Sequence, residues 1–328
     1  MSAVPMDSLS GLDLSSPAPL PVQPARPRVW PVFALWFAAV MVGNVVMLGY
    51  MIVLAIAVAV TATVHGLQGA DLQLVIQAVF SRPVIAVLVT ILPFQMGMIL
   101  MTLLVARLSK ERREARLGLL PPVGPEVGGM SLAMFAAFTI SSGLAITIAL
   151  TMLMAKPATT SVAAAVQEGW LGSLIVGLVL GIVPPIVEEI VFRGYIQRRL
   201  LQRWSPIVAI GMTTFLFAIL HFDSLQHIVA VIPLGLVTGV LAYRTKSVKP
   251  GMIVHAIHNF AAVGYTTLTN FLAPQMTDET LGLVLIATIA TLFVLGLPAT
   301  IGLFRSPRMN TLGLRLLPKF GSTLRPTM

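Results

Sequence analysis

The sequence predicts an all-α fold: a polytopic bundle of about eight membrane-spanning helices. Hydrophobic residues make up 57% of the 328 residues and charged residues only 10%, whereas soluble proteins average about 25% charged residues. Mean hydropathy reaches +0.93, and apolar runs about as long as a bilayer is thick recur along the chain. Lys and Arg cluster in every second connection between these runs, which places them on one side of the predicted membrane. Most of the chain is therefore expected to lie in lipid.

The apolar runs define the predicted spans. A helix rises 1.5 Å per residue, so runs of about 20 residues cross the roughly 30 Å hydrocarbon core. The run after Arg28 is longer than the apolar region of a cleaved secretory signal, and it is interpreted as the first span. The eight predicted spans are 30–62, 84–106, 128–154, 171–192, 206–222, 226–243, 251–272 and 281–304.

The basic residues orient the bundle. With eight alternating spans, 19 of the 21 Lys and Arg fall on one side and only Arg82 and Lys156 on the other. The positive-inside rule then places both termini in the cytoplasm. The net charge of +9 is explained by topology and by contact with lipid headgroups, so no nucleic-acid partner is expected. Since the chain has no cysteine, disulfides, thiolate metal ligands and a cysteine nucleophile are excluded.

Two adjacent carboxylates, Glu188 and Glu189, lie inside the predicted fourth span. A charged side chain at bilayer depth costs roughly 2.5–3.5 kcal/mol on insertion scales, so such an acid indicates a functional site unless a partner explains it. Arg193 follows Glu189 by four residues and lies on the same helical face, where it can neutralise that carboxylate. Glu188 points in another direction and is expected to lack a cation on its own helix.

The fifth span is predicted to bring a histidine to Glu188. The dipeptide Ser205-Pro206 predicts a helix start, because proline is favoured in the first turn of a helix. If the fourth and fifth spans form an antiparallel hairpin around this break, His221 lies level with Glu188. The two side chains are then expected to face each other within the membrane.

The seventh span carries further polar side chains. His255 and Asn259 are one helical turn apart on one face, and they are expected to converge on a common point. His258 points toward the other flank of the helix. It is interpreted, like His227, as a structural residue.

These residue types suit hydrolysis of a peptide bond. A carboxylate shielded from water is a strong base toward a water molecule, and imidazole and amide groups can stabilise the developing oxyanion. Two histidines and one carboxylate also form an ordinary catalytic zinc set. An ion- or proton-coupled transporter is the alternative, since the same groups can relay ions. However, the polar intramembrane residues all fall in the second half of the chain, without the internal repeat that a transporter should show.

Three motifs on three predicted spans resemble the signatures of the CPBP family, the CAAX proteases and bacteriocin-processing intramembrane proteases. One such motif alone is a weak signal, but three in the family's order are specific. The resemblance covers roughly residues 170–265. The motifs are Glu188-Glu189-Ile-Val-Phe-Arg193 for EExxxR, Phe217-Ala-Ile-Leu-His221 for FxxxH and His255-Ala-Ile-His258-Asn259 for HxxxN.

The resemblance implies an intramembrane endopeptidase that hydrolyses a peptide bond in a membrane-anchored protein or peptide. The implied reaction is CAAX-type cleavage or another form of C-terminal or peptide-maturation processing. Glu188 would activate water, and His221 would assist it or bind a metal. His255 and Asn259 would complete a metal site or an oxyanion hole.

The family includes both metalloproteases and metal-independent glutamate proteases, and the resemblance leaves both open. In the first case Glu188, His221 and His255 would hold a zinc ion, and no organic cofactor is expected in either. Glu189 and Arg193 would support the shape of the site. A non-catalytic relative that binds a membrane partner is a further alternative.

The short loops and the lack of cysteine favour a multi-pass protein of a bacterial inner membrane. Its expected partners are the lipid bilayer and a membrane-anchored substrate. The predicted regions are a disordered Pro-rich cytoplasmic tail at 1–28, transmembrane helices one to three at 29–165, catalytic helices four to seven at 166–272, transmembrane helix eight at 273–304 and a basic cytoplasmic tail at 305–328.

Overall fold

The computed structural model describes residues 28–108, 111–124, 127–154 and 161–305. All regular elements in these ranges are helical. A π-helical segment, Glu189–Gln197, joins α7 to α8, and a short 3-10 helix, Ala273–Gln275, follows α12. The α-helices are α1 (Trp30–Val64), α2 (Ala70–Phe80), α3 (Pro83–Arg107), α4 (Arg113–Arg116), α5 (Gly129–Met154), α6 (Ser161–Val166), α7 (Trp170–Glu188), α8 (Arg198–Leu201), α9 (Pro206–Ala218), α10 (Leu225–Ala230), α11 (Ile232–Thr245), α12 (Lys249–Leu272) and α13 (Asp278–Arg305).

The predicted all-α polytopic class is confirmed. Within the described ranges, six stretches of helix are long and apolar enough to cross a membrane; they contain predicted spans one, two, four, six and eight, and all of span three except Gly128. Predicted span five corresponds to α9, whose 13 residues extend only about 20 Å. Predicted span seven corresponds to α12, which has 24 residues but includes two histidines and two asparagines. The predicted number of eight is therefore not reached by length and composition alone, although a helix occupies every predicted position.

The predicted tails, 1–28 and 305–328, lie outside the described residues except for Arg28 and Arg305 at their inner edges. The break predicted between the fourth and fifth spans is confirmed. Ser205 is the N-cap of α9, and its hydroxyl accepts a hydrogen bond from the Val208 amide at 3.4 Å. The following proline occupies the first turn, where its missing N–H has no helical partner to lose.

The helices form an inner group and an outer pair. α12 packs against α7, α11 and α5, while α11 also packs against α9. α1 lies on α3, and α13 lies on α5. The inner group consists of α7, the π-helical segment and α9 to α12, and the three sequence motifs all lie within it.

Small residues allow the inner helices to approach closely, as is usual in lipid. A methyl group added at Gly181 would lie 2.4 Å from the Phe260 ring, where α7 meets α12. One added at Gly235 would lie 2.7 Å from Thr214 Cγ2, where α11 meets α9. These close contacts bring polar side chains of one helix within reach of the backbone of the next.

Candidate active site

Glu189 and Arg193 form an ion pair that is fully buried. Arg193 Nη1 donates to Glu189 Oε1 at 2.9 Å, and neither side chain is exposed. Arg193 Nη2 also donates to the Gly235 carbonyl at 3.2 Å, and the guanidinium lies 4.5 Å from the centre of the Phe217 ring. The structure therefore contains the pair expected from the four-residue spacing, and Arg193 joins the π-helical segment to α11 and α9.

Glu188 has a different environment. Its Oε1 accepts a hydrogen bond of 2.6 Å from Nε2 of Gln95, a buried residue of α3. Its Oε2 is buried and has no hydrogen-bond partner among the described residues. His255 Nε2 lies 3.9 Å from this oxygen, which is beyond a direct hydrogen bond. One oxygen of Glu188 is therefore fixed by an amide, while the other faces an imidazole.

His255 lies between the two acids. Its Nδ1 is 3.2 Å from Glu189 Oε1, and because an ionised carboxylate can only accept, the proton of the neutral ring belongs on Nδ1. The lone pair then lies on Nε2, toward Glu188. A histidine oriented by a carboxylate in this way presents a fixed lone pair to whatever binds beside it.

His221 is connected to this cluster by the Phe217 ring, which contacts both histidines. Its Nδ1 lies 3.1 Å from the Phe217 carbonyl, one turn earlier, so Nδ1 is again the donor. The Phe217 ring is 4.9 Å from the His221 ring and 5.8 Å from the His255 ring, centre to centre. Among the described residues, His221 makes no hydrogen bond with Glu188. The contacts of the described residues link the two side chains predicted to face each other indirectly, through the Phe217 ring and His255.

Asn259 has a partner on α7. Its Nδ2 donates to the Leu180 carbonyl at 2.8 Å. In a regular α-helix that carbonyl would accept from residue 184, but Pro184 has no N–H. Asn259 therefore satisfies a carbonyl left free by the proline. Since His255 bonds instead to Glu189, the two residues do not converge on the common point that their spacing predicts.

The two histidines interpreted as structural also have partners. His258 Nδ1 lies 3.1 Å from Thr139 Oγ1 on α5. His227 Nδ1 lies 2.8 Å from Asp223 Oδ1, and the His227 ring is 4.8 Å from the His221 ring. His258 thus links two helices, while His227 belongs to a polar group beside His221.

A zinc site is not assembled by the described side chains. The lone pairs of His221 and His255 on Nε2 are the donors that zinc requires. Nevertheless, the described residues include no group of three His, Cys, Asp or Glu side chains placed to hold a metal ion. Glu188, His221 and His255 would have to move toward one another to act as ligands.

Sequence reasoning missed Gln95. It lies 93 residues before Glu188, on a helix outside the three motifs, so no local spacing connects the two. The available signal was a polar amide in the otherwise apolar second span, where an unpartnered polar group is costly. The π-helical form of residues 189–197 was also not predicted, although such segments are frequent at functional sites.

Residues 170–261 match the sequence model of a protein family described as type II CAAX prenyl endopeptidase, Rce1-like. The matched segment extends from α7 into α12 and contains all six predicted site residues. No curated protein and no solved structure matches the chain. Together with the apolar helices, the match supports an integral membrane protein and, in general, an intramembrane protease. The resemblance drawn from the three motifs is confirmed for this segment, which matches the Rce1-like CAAX endopeptidase model.

Proposed function

We propose that this chain is an intramembrane endopeptidase in which Glu188 activates the attacking water. The observation that carries the proposal is the difference between the two acids. Each acid has one buried oxygen without a hydrogen-bond partner among the described residues, but Glu189 is neutralised by Arg193, whereas Oε2 of Glu188 faces His255 Nε2. Glu188 is therefore proposed as the base.

The proposed reaction uses the space between Glu188 and His255. One water molecule can bridge a separation of 3.9 Å between two acceptors. This water gives a proton to Glu188 as its oxygen bonds to the carbonyl carbon of the substrate. The carbon–nitrogen bond then breaks, and the proton passes from Glu188 to the leaving nitrogen. Gln95 holds the other carboxylate oxygen and so keeps Oε2 directed at the reaction.

The remaining predicted site residues are assigned supporting roles. His255 orients the water through Nε2, while Glu189 fixes the ring through Nδ1. His221, whose ring is in contact with Phe217, is proposed to accept a proton or to contact the substrate. Asn259 holds α12 against α7 through the Leu180 carbonyl; a role in an oxyanion hole stays a prediction.

No step of the proposal passes through zinc, because the described side chains are not placed as a three-ligand set. If zinc is bound, it would polarise the substrate carbonyl and be held by Glu188, His221 and His255. Metal analysis of the purified protein tests this. Stoichiometric zinc that is lost in both His221→Ala and His255→Ala would show a metalloprotease.

The proposed substrate is a membrane-anchored protein or peptide, cleaved in a CAAX-type or related C-terminal reaction. This class is supported by the position of the acids, which lie inside apolar helices, and by the family match. The proposed location is a bacterial inner membrane.

Glu188→Gln tests the proposal. Removing the base is expected to lower cleavage by about 10²- to 10⁴-fold, since Gln keeps the shape and the burial but cannot take a proton. The measurement is quantitative proteomics of membrane-protein C-termini in bacterial cells that produce either the wild type or the variant. Glu279→Gln, at an exposed acid of α13, is the matched control and should cleave normally. The same set of new termini from wild type and Glu188→Gln, with both proteins folded, would contradict the proposal.

A further inference from the structure

A cavity of about 540 Å³ lies at one end of the inner group of helices. Its walls come from the end of the π-helical segment, α8, the start of α9 and the end of α11. The orientation expected from the positive-inside rule places this end at the cytoplasmic face. Among the described residues that line the cavity, one is acidic, Glu111, and six are basic: Arg116, Arg193, Arg198, Arg199, Arg203 and Lys246. This excess of basic side chains favours an anionic ligand.

Acidic side chains compensate only part of this charge. Arg193 and Arg116 each pair with a glutamate, and Arg199 bonds to a neutral glutamine. Arg198 and Arg203 make no hydrogen bond or ion pair within the described part of the chain. Since Arg198 is half-buried, its guanidinium has lost part of its hydration without gaining an acceptor. These donors suit a phosphate group, because guanidinium binds phosphate oxygens through two parallel hydrogen bonds.

Three amphipathic aromatic residues place the cavity at the edge of the membrane. Tyr195, Trp204 and Tyr243 all line it, and Tyr and Trp are enriched where a bilayer meets water. Trp204 also packs on Phe33 of α1, with the ring centres 6.2 Å apart. The cavity wall therefore adjoins a helix that faces lipid, at the level of the headgroups.

An exposed apolar stripe leads away from the cavity along α9. Pro206 lines the cavity, and the next residue, Ile207, is 64% exposed. Gly211 and Phe215 follow at intervals of four residues, on the same face of the helix, and both are exposed. A phospholipid whose phosphate lies in the cavity can place an acyl chain along this stripe. A soluble phosphate ester would contact the cavity alone.

We propose that this cavity binds the headgroup of an anionic phospholipid, with the phosphate held by Arg198 and Arg203 and an acyl chain lying along α9. Basic pockets between membrane helices on the cytoplasmic side suit such headgroups. A zwitterionic lipid would bring its ammonium group next to the basic side chains, so the site selects lipids of net negative charge, such as phosphatidylglycerol. This binding does not depend on the proposed peptidase function.

Native mass spectrometry of the full chain in detergent micelles tests the proposal. The protein is titrated with dioleoyl phosphatidylglycerol or dioleoyl phosphatidylcholine, and the Kd of the first bound lipid is measured. Phosphatidylglycerol is expected to bind about 10- to 100-fold more tightly, the usual effect of a hydrogen bond to a charged group. Arg198→Gln combined with Arg203→Gln should remove most of this preference. The control pair, Arg107→Gln with Arg113→Gln, removes two exposed charges outside the cavity and should leave the preference unchanged.

The unfolding temperature of each variant in the same micelles shows whether it is folded. If the glutamine pair does not fold, Arg198→Lys replaces it. This variant keeps the charge but loses the planar pair of donors, and it should reduce the preference several-fold. Equal binding of the two lipids by the wild type would overturn the proposal. So would a preference that survives in the folded cavity variant, or one that falls equally in the control pair, because the lipid would then be attracted by the basic surface as a whole.

A second measurement separates a lipid from a soluble phosphate ester. Glycerophosphoglycerol is the same headgroup without acyl chains. It is expected to displace phosphatidylglycerol at least about 100-fold less effectively than the lipid itself, because it cannot bury an acyl chain against α9. Displacement at equal concentrations would show a site for a soluble phosphate ester and would overturn the assignment to a lipid.

Discussion

The inner and outer helices of this protein differ in what surrounds them. In the most apolar windows of α1 and α13, only 6% of the residues are buried inside the structure, compared with 44% in the stretch Trp170–Leu201 and 56% in Leu225–Thr245. The outer pair needs only to be apolar, because lipid is its solvent. The inner group contains charged and amide side chains, each of which needs a particular partner. Substitutions should therefore have large, residue-specific effects inside and small effects outside.

The largest effect is expected at the buried ion pair. Arg193→Met leaves the Glu189 carboxylate buried without its cation and removes the bond to the Gly235 carbonyl. Breaking such a pair costs about 3–5 kcal/mol of the free energy of unfolding. Thermal and denaturant unfolding in detergent micelles measures it. Arg305→Met, at the exposed end of α13, should stay within about 0.5 kcal/mol of the wild type.

A double variant sharpens this prediction. Combining Arg193→Met with Glu189→Gln removes both charges, so part of the lost stability should return. If Arg193→Met alone is as stable as the wild type, the ion pair does not stabilise the inner group. The expected difference between substitutions in the inner group and in the outer helices would then be wrong.

The ion pair also shows what a single sequence can predict. Glu189 and Arg193 are four residues apart on one helix, so their contact follows from local geometry. The contact of Glu188 with Gln95 joins two helices. The rotation and height of one helix relative to the other depend on packing, and local sequence spacing does not predict them. In the outer helices there are few such contacts to miss, and hydropathy was enough to locate α1 and α13.

Asn259 is a second example of a contact that local sequence spacing does not predict. It lies one turn after His255 on α12, as its spacing predicts. However, α12 packs along α7, so the two residues contact different levels of the neighbouring chain: His255 contacts Glu189, and Asn259 contacts Leu180. The free carbonyl at Leu180 was implied by Pro184. Its partner was not, because that partner is 79 residues away.

A smaller loss of stability is expected at Gly194, in the π-helical segment. A methyl group there would lie 2.4 Å from the Leu117 carbonyl oxygen, and a backbone atom cannot move aside as a side chain can. Gly194→Ala should cost about 1–3 kcal/mol, the usual range for overpacking. Unfolding in micelles measures it. Gly211→Ala in α9, where nothing lies within 4 Å, is the matched control, and equal effects at the two glycines would contradict the prediction.

The hydrogen bond from Asn259 to the Leu180 carbonyl is expected to contribute a similar or slightly smaller amount to the free energy of unfolding. Asn259→Leu leaves the carbonyl without its donor and should cost about 1–3 kcal/mol. In a Pro184→Ala background the new backbone N–H can bond to the Leu180 carbonyl, so the same substitution should cost less. A double-mutant cycle on unfolding free energies measures the difference.

The cycle also separates a structural role of Asn259 from a catalytic one. If Asn259 only holds α12 against α7, Pro184→Ala should restore activity together with stability. If its amide stabilises the oxyanion, kcat/KM should stay low in the stable double variant.

The smallest effect, and the one with the opposite sign, is expected on α1. Gly49 has nothing within 4 Å of the position that a methyl group would take, and it lies inside a long helix. Gly49→Ala should therefore stabilise the protein by about 0.5–1 kcal/mol, because alanine loses less backbone freedom on folding. The same assay measures it beside Gly194→Ala. The same Gly-to-Ala substitution is then expected to change the free energy of unfolding in opposite directions in the two regions, since one methyl group enters lipid and the other contacts a carbonyl oxygen. A loss of more than about 1 kcal/mol at Gly49 would show that α1 is covered by a protein neighbour outside the described residues, such as a second copy of the chain, and would remove α1 from the lipid-facing class.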